Sequence, residues 1–227
     1  MEILMDKALN KSDSTVTHDS TLIFERIAAG LHVQGYSIVD NAIPEELAET
    51  LFARVSSLNS ADFSPAGIGR SQNLMLNNFI RRDEIRWLDA GSHYERGWLE
   101  WVEHLRIFLN RRLFLGLFSY EGHFAHYKSG AFYKKHVDAF HGESSRILTA
   151  VLYLNRDWQT EDGGELVLYP ENSAEPCARV SPLMGRLAVF LSEEFPHEVL
   201  PAKCDRYSIA GWFRINASTT ERVDPPR

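Results

Sequence analysis

From Phe118 to Ile215 the sequence breaks into eight short runs: FSYEGHFAHY (118–127), FYKKHV (132–137), SRILTAVLYL (145–154), ELVLYP (165–170), ARV (178–180), RLAVFL (186–191), HEVL (197–200) and RYSIAGWFRI (206–215). Gly, Asn, Asp and Pro stand between them, which is the punctuation of strands and turns. Eight short, β-rich runs at this spacing predict a double-sheet jelly roll or a related barrel. Upstream the pattern is helical, so the expected class is α+β. The expected layout is a single domain over 19–216, with helical support in 19–116 and a jelly-roll core, a double-stranded β-helix, in 117–216. Residues 1–18 and 217–227 read as flexible tails.

The helical half has clear punctuation. TLIFERIAAGLHVQ (21–34) reads as a helix stopped by Gly35, and YSIVD (36–40) as a short strand. Pro44 suits the start of a second helix, where its missing N–H is harmless. Glu45 and Glu46 suit its first turn, and Leu47, Leu51, Val55 and Leu58 form its apolar stripe. A third helix is predicted over 94–113, with Trp98, Trp101, Leu105 and Phe108 as core residues on one side.

Composition sets the outer limits. The chain has 227 residues, 44% of them apolar and 24% charged, with a net charge of −7. That is the make-up of a globular protein with a full apolar core and no need of disulfides. An acidic balance disfavours general nucleic-acid binding, which relies on cations to neutralise phosphates. No run approaches the 18 or so apolar residues of a membrane span, and residues 1–20 lack the apolar core of a secretory signal. The expected location is the cytoplasm, with no membrane and no nucleic-acid partner. Cys177 and Cys204 have neither disulfide nor zinc-knuckle spacing and read as free thiols.

Chemistry concentrates at three places. His136-Val137-Asp138 places an imidazole and a carboxylate on one face if the run is a strand, although a lone H-x-D arises by chance in about one chain of this composition in two. His197 follows Phe195-Pro196 and opens HEVL. Arg206 comes nine residues later and opens a strand on which Arg206, Ser208, Ala210 and Trp212 share one face, while Tyr207, Ile209 and Phe213 share the other. Two imidazoles and one carboxylate are the facial triad of non-haem Fe(II) oxygenases, which leaves coordination positions open. A guanidinium near by suits a bidentate carboxylate.

In that order and spacing the motifs resemble the iron- and 2-oxoglutarate-dependent dioxygenases. More narrowly they resemble the prolyl 4-hydroxylase group that includes the hypoxia-inducible-factor prolyl hydroxylases and their bacterial relatives. LHVQGYSIVD (31–40), IRRDEIRWL (80–88), YKSGAFYKKHVD (127–138), YLNRDW (153–158), GGEL (163–166), PHEV (196–199) and RYSI (206–209) carry the resemblance, which covers about residues 22–215. It implies His136, Asp138 and His197 as iron ligands. It implies Arg206 and Tyr153 as partners of the C5 carboxylate of 2-oxoglutarate, and Tyr127, Leu166 and Trp212 as further cosubstrate contacts. Tyr127, Tyr133, Trp212 and Arg81 are implied on the substrate side, Arg81 within a mobile finger over about 67–91. The implied reaction is hydroxylation of a prolyl residue of a protein, consuming O2 and releasing succinate and CO2, with ascorbate as a candidate reductant and oxygen sensing as a role. Bacterial relatives suggest a translation factor as the target by analogy.

Three departures bear on substrate and cosubstrate: a loop between Tyr127 and His136 one residue shorter than in the animal enzymes, Ala210 where they tend to carry a hydroxyl, and Arg82 where the family has Gly. His126, alternating away from Tyr127, reads as structural, and His141 as solvated. The competing readings are an oxygenase of a small molecule or free amino acid, a non-catalytic binding protein on the same fold, and a zinc hydrolase using the same three residues. Arg206 and Tyr153, poised for a second carboxylate, favour the keto-acid cosubstrate.

Overall fold

The computed structural model describes residues 18–66, 79–139 and 145–216. The two tails, His141 and the finger tip over 67–78 lie outside the described residues. Three helices are seen: α1 (His18–Gln34), α2 (Glu45–Ser56) and α3 (His93–Leu113). Helix α1 begins three residues before the expected start. It ends where predicted, because Gly35 takes a left-handed φ of 78° and returns its N–H to the Leu31 carbonyl. A Cβ at Gly35 would lie 2.8 Å from the Phe195 ring. Pro44 is the residue just outside α2, whose first helical residue is Glu45.

The strands in chain order are β1 (Tyr36–Val39), β2 (Ser64–Pro65), β3 (Glu84–Trp87), β4 (Ser119–Tyr127), β5 (Tyr133–His136), β6 (Arg146–Tyr153), β7 (Leu166–Leu168), β8 (Ala178–Val180), β9 (Leu187–Leu191), β10 (His197–Val199) and β11 (Arg206–Arg214). All eight predicted runs are strands. They form a seven-stranded sheet in the order β1-β9-β6-β11-β4-β3-β2 and a four-stranded sheet in the order β5-β10-β7-β8. The pairings within both are antiparallel. β2 and β3 were not predicted. Part of the expected mobile finger is therefore regular: Glu84–Trp87 pairs with His126–His123 of β4 and extends the large sheet.

The large sheet is buried on both faces, and period-two alternation divides its residues between two cores. Leu148, Ala150 and Leu152 of β6, Leu187 and Val189 of β9, and Ile209 and Phe213 of β11 face the helices. There they join Phe24, Ile27, Leu51, Val55, Trp98, Leu105 and Leu109. Val151 and Tyr153 of β6, Ala188 and Phe190 of β9, and Ala125 and Tyr127 of β4 face the smaller sheet and meet Leu166, Leu168, Val180 and Val199. This second core is a jelly roll's interior, the double-stranded β-helix expected from the sequence. Among the described residues no helix is long and apolar enough to cross a membrane.

Trp98 anchors the helical layer. It is fully buried and stacks on Trp101, with ring centroids 5.4 Å apart. Trp98→Ala should destabilise the fold by about 3–5 kcal/mol, read as a lowered urea midpoint with an unchanged denaturant slope.

Candidate active site

β10 pairs with β5 so that His197 stands directly opposite His136. This cross-strand pairing unites two histidines far apart in sequence, with ring centroids 4.3 Å apart. Each ring donates its Nδ1–H to a backbone carbonyl two residues back, His136 to Lys134 at 2.8 Å and His197 to Phe195 at 2.9 Å. A carbonyl can only accept, so each Nδ1 carries a proton and each Nε2 is left to face inward. Both Nε2 atoms stand 3.5 Å from the Asp138 carboxylate, one at each oxygen.

Asp138 does not reach this place by strand alternation, as the sequence suggested. β5 ends at His136 and Asp138 lies in the bend that follows. Its carboxylate is held from the large sheet: Thr149 Oγ1 donates to Oδ2 at 2.8 Å, and Ser192 Oγ lies 2.9 Å from the same threonine hydroxyl. Burial disfavours the charge on Asp138, but His197, His136 and the facing Trp212 indole N–H outweigh it and hold the carboxyl well below its usual range. Burial, with His136 beside it, lowers His197 to about 4, so this imidazole is neutral at neutral pH and keeps its lone pair. One ligand atom from each of the three residues falls within 4.8 Å of the others. Imidazoles and an ionised carboxylate converging in this way suit a divalent first-row metal.

One same-face step at a time along β11 leads away from the triad. Trp212 is paired with Thr149, Ser208 with Tyr153, and Arg206 with Tyr127. Arg206 is 1% exposed. Its Nε donates to the Gly164 carbonyl at 2.9 Å and its Nη1 approaches Ser208 Oγ at 3.4 Å. Gly164 has φ of 71°, and a Cβ there would lie 3.2 Å from the arginine Cδ, so a glycine permits both the turn and the approach. Among the described residues no carboxylate pairs with this guanidinium. The Tyr127 and Tyr153 rings lie 4.9 and 5.1 Å from its centre. The Tyr153 hydroxyl faces it, buried and without a hydrogen-bond partner among the described residues, and burial pushes that phenol up to about 12 despite the cation. A buried cation beside an orphaned hydroxyl suits an anion, since a lone buried charge is costly until paired.

The remaining predicted residues are also brought together. Leu166 is buried on β7 in the jelly-roll core. Tyr133 stacks on His136 with centroids 3.5 Å apart, and the Arg81 guanidinium lies 4.2 Å above the Tyr133 ring. The Arg81 side chain is 12% exposed and bridges Asp83 through Nε at 2.7 Å and Nη2 at 2.5 Å. His126 lies on the other face of β4, stacked on Tyr207 and bonded to Asp205, as its alternation with Tyr127 required. Sequence reasoning missed Thr149 and Ser192. It also missed Arg146, 3.5 Å over the Trp212 ring and bonded to Glu121. Same-face spacing to Tyr153 could have pointed to Thr149; Arg146 lies an odd number of residues from it and is brought over Trp212 past a register shift at Phe213 and Arg214.

The sequence profile of the 2OG-Fe(II) oxygenase superfamily matches residues 122–214. A crystal structure of a Pseudomonas putida prolyl-4-hydroxylase is 37% identical, covers 86% of this chain and 100% of its own, and superposes with a TM-score of 0.77. A Trichoplax adhaerens prolyl hydroxylase, solved in complex with a peptide fragment of the hypoxia inducible factor oxygen degradation domain, is 26% identical, covers 90% and 94%, and has a TM-score of 0.78. Human Egl nine homolog 1 is 30% identical over 202 residues, which are 85% of this chain and 46% of that protein. The chain thus spans about half the length of that relative. The chain belongs to the 2OG-Fe(II) oxygenase superfamily and, within it, to the prolyl hydroxylase type. Enzymes of this family use Fe(II), 2-oxoglutarate and O2, and the donor set above fits the metal.

Thr149→Val should leave the fold intact and weaken Mn(II) binding by about tenfold, because a residue that orients a ligand carboxylate is lost; a metal titration followed by electron paramagnetic resonance measures it. A second expectation concerns acid. His123 and His197 both sit at about 4, mainly through burial, whereas unfolded histidine titrates near about 6.5. Between those values the unfolded chain binds protons that the folded chain refuses, so stability falls as the pH drops through that window. Melting temperatures of the metal-free protein from pH 7 to pH 4 should decline, and less so in His123→Gln.

Proposed function

We propose that this protein hydroxylates a prolyl residue of a protein substrate, with His136, Asp138 and His197 holding Fe(II) and with Arg206 and Tyr153 binding the C5 carboxylate of 2-oxoglutarate. The observation that carries the reading is the buried guanidinium of Arg206, without a carboxylate among the described residues and facing an orphaned tyrosine hydroxyl on the sheet face that also supports Asp138. A zinc hydrolase has no use for such a pair, and a non-catalytic binding protein has no need of the complete ligand triad beside it. Iron and 2-oxoglutarate, when bound, supply the activation of O2, with succinate and CO2 as co-products. The chain's own groups fix the geometry and exclude water. Backbone carbonyls set the imidazoles, Thr149 steadies the carboxylate, and Leu166, Tyr127 and Trp212 wall the cosubstrate space.

The substrate side is assigned to Tyr127, Tyr133, Trp212 and Arg81. Arg81 acts there through its contacts, clamping Tyr133 against His136 while Asp83 neutralises it. A protein substrate is favoured over a free amino acid by the relatives, two of which are prolyl hydroxylases, one of them solved with a bound peptide. The proposal extends to residues 19–216 as one catalytic domain, to the cytoplasm, where the free thiols Cys177 and Cys204 suit a reducing compartment, to an oxygen-sensing role with ascorbate as reductant, and to a translation factor as the target by analogy.

The test is to incubate the Fe(II)-loaded protein with 2-oxoglutarate and a cell extract and to map prolines that gain one oxygen atom by mass spectrometry. Oxygen gained only in the low-mass fraction would replace the protein substrate by a small molecule. Arg206→Ala should weaken 2-oxoglutarate binding to the Mn(II)-loaded protein by on the order of a hundredfold or more, since losing one partner of a buried ion pair costs roughly 3–5 kcal/mol. Tyr153→Phe should lose less, on the order of 1–3 kcal/mol.

A further inference from the structure

One row of the site's floor has no role in the function above. His123 of β4 stands directly across from Ala210 of β11, and Ala210 across from Val151 of β6. On one side of this row lies Ser208, which the Arg206 guanidinium reaches, paired with Tyr153. On the other side lies Trp212, paired with Thr149, the residue that holds Asp138. A diacid stretching from Arg206 and Tyr153 to the triad must cross the row. Ala210 and Val151 offer it only carbon; His123 offers ring nitrogens.

His123 is 4% exposed, and its ring centroid lies 5.2 Å from that of Trp87 and 5.4 Å from that of Trp212. Among the described residues its buried Nδ1 has no hydrogen-bond partner. Buried polar atoms are nearly always paired, so a bare one on a ligand-facing wall calls for a partner that the protein does not provide. Burial keeps the ring neutral by lowering it to about 4, so it carries one N–H and adds no second fixed cation beside Arg206.

We propose that His123 is a specificity-determining contact of the cosubstrate, its imidazole donating one hydrogen bond to an oxygen of the bound 2-oxo diacid. This rests on the reading of Arg206 and Tyr153 as the diacid site. The same wall would favour a ligand with an oxygen above the row over an acid that presents only methylenes there.

The test titrates 2-oxoglutarate into the Mn(II)-loaded full chain by calorimetry, without turnover, for wild type, His123→Met, His123→Gln and Arg206→Ala. His123→Met should bind about tenfold more weakly, the weight of a hydrogen bond to a charged or strongly polar oxygen. His123→Gln, which keeps a donor, should recover most of that loss, and Mn(II) affinity should be equal in wild type and both His123 variants. No binding by wild type, or no loss in Arg206→Ala, would sink the diacid site itself. Wild-type binding with a loss in Arg206→Ala but full affinity in His123→Met overturns the role of His123 alone, as does a parallel loss of Mn(II) affinity. If His123→Met fails to fold, wild type decides. In the Zn(II)-loaded protein labelled with 15N-histidine, one ring N–H signal that is missing from His123→Gln should become protected from solvent exchange when 2-oxoglutarate is added. Absence of such a signal refutes the contact.

Discussion

The large sheet has to serve two interiors at once, and the site depends on that constraint. Leu148, Ala150 and Leu152 must face the helices, so Thr149, Val151 and Tyr153 must face the smaller sheet. The same holds on β11, where Ile209 and Phe213 turn one way and Arg206, Ser208 and Trp212 the other. Because the alternation has a period of two, a slip of one residue would exchange the faces and bury the arginine among the helices. The apolar packing of the helical layer is therefore what sets the register of the polar groups. It puts Trp212 beside Thr149 and Ser208 beside Tyr153, and it spaces the anion end from the triad.

Against that rigid sheet the triad is assembled from short pieces. β5 and β10 have four and three residues, and Asp138 lies outside any strand. Short elements hold position poorly by themselves. Here they are tied by backbone carbonyls to each Nδ1, by Thr149 and Ser192 to the carboxylate, and by the Arg81–Tyr133–His136 stack on the outer side. Each tie fixes a group that would otherwise have rotational freedom in its free state. The electrostatics follow from burial: a neutral imidazole at position 197 and an ionised carboxylate at position 138 present lone pairs with net negative charge, while the Arg206 guanidinium is kept apart at the other end of β11.

Much of this was legible before any coordinates. The eight runs from Phe118 to Ile215 all became strands, since short apolar segments between turn residues carry a local signal. The histidines, Asp138 and Arg206 were singled out by residue type and spacing, and Tyr153 by the family resemblance alone. β3 was missed because EIRW, with glutamate and arginine, has little strand character of its own and is ordered by pairing with β4. Arg81 was placed on the substrate side by the resemblance, and its pairing with Asp83, two residues on, is visible only in the fold.

The sequence by itself determined which side chains share a face of each strand and which donor types exist, because alternation and turn chemistry are local properties of the backbone. Tertiary structure alone decided which faces meet. The pairing of His197 with His136, the hold of Thr149 on Asp138 across a bend, the burial of Arg206 with no carboxylate partner among the described residues and the placing of His123 Nδ1 opposite Ala210 all depend on contacts between segments distant in the chain. Such contacts leave no periodic trace in the sequence, because they are fixed by the cooperative packing of two cores on one sheet and not by the preferences of the residues they join.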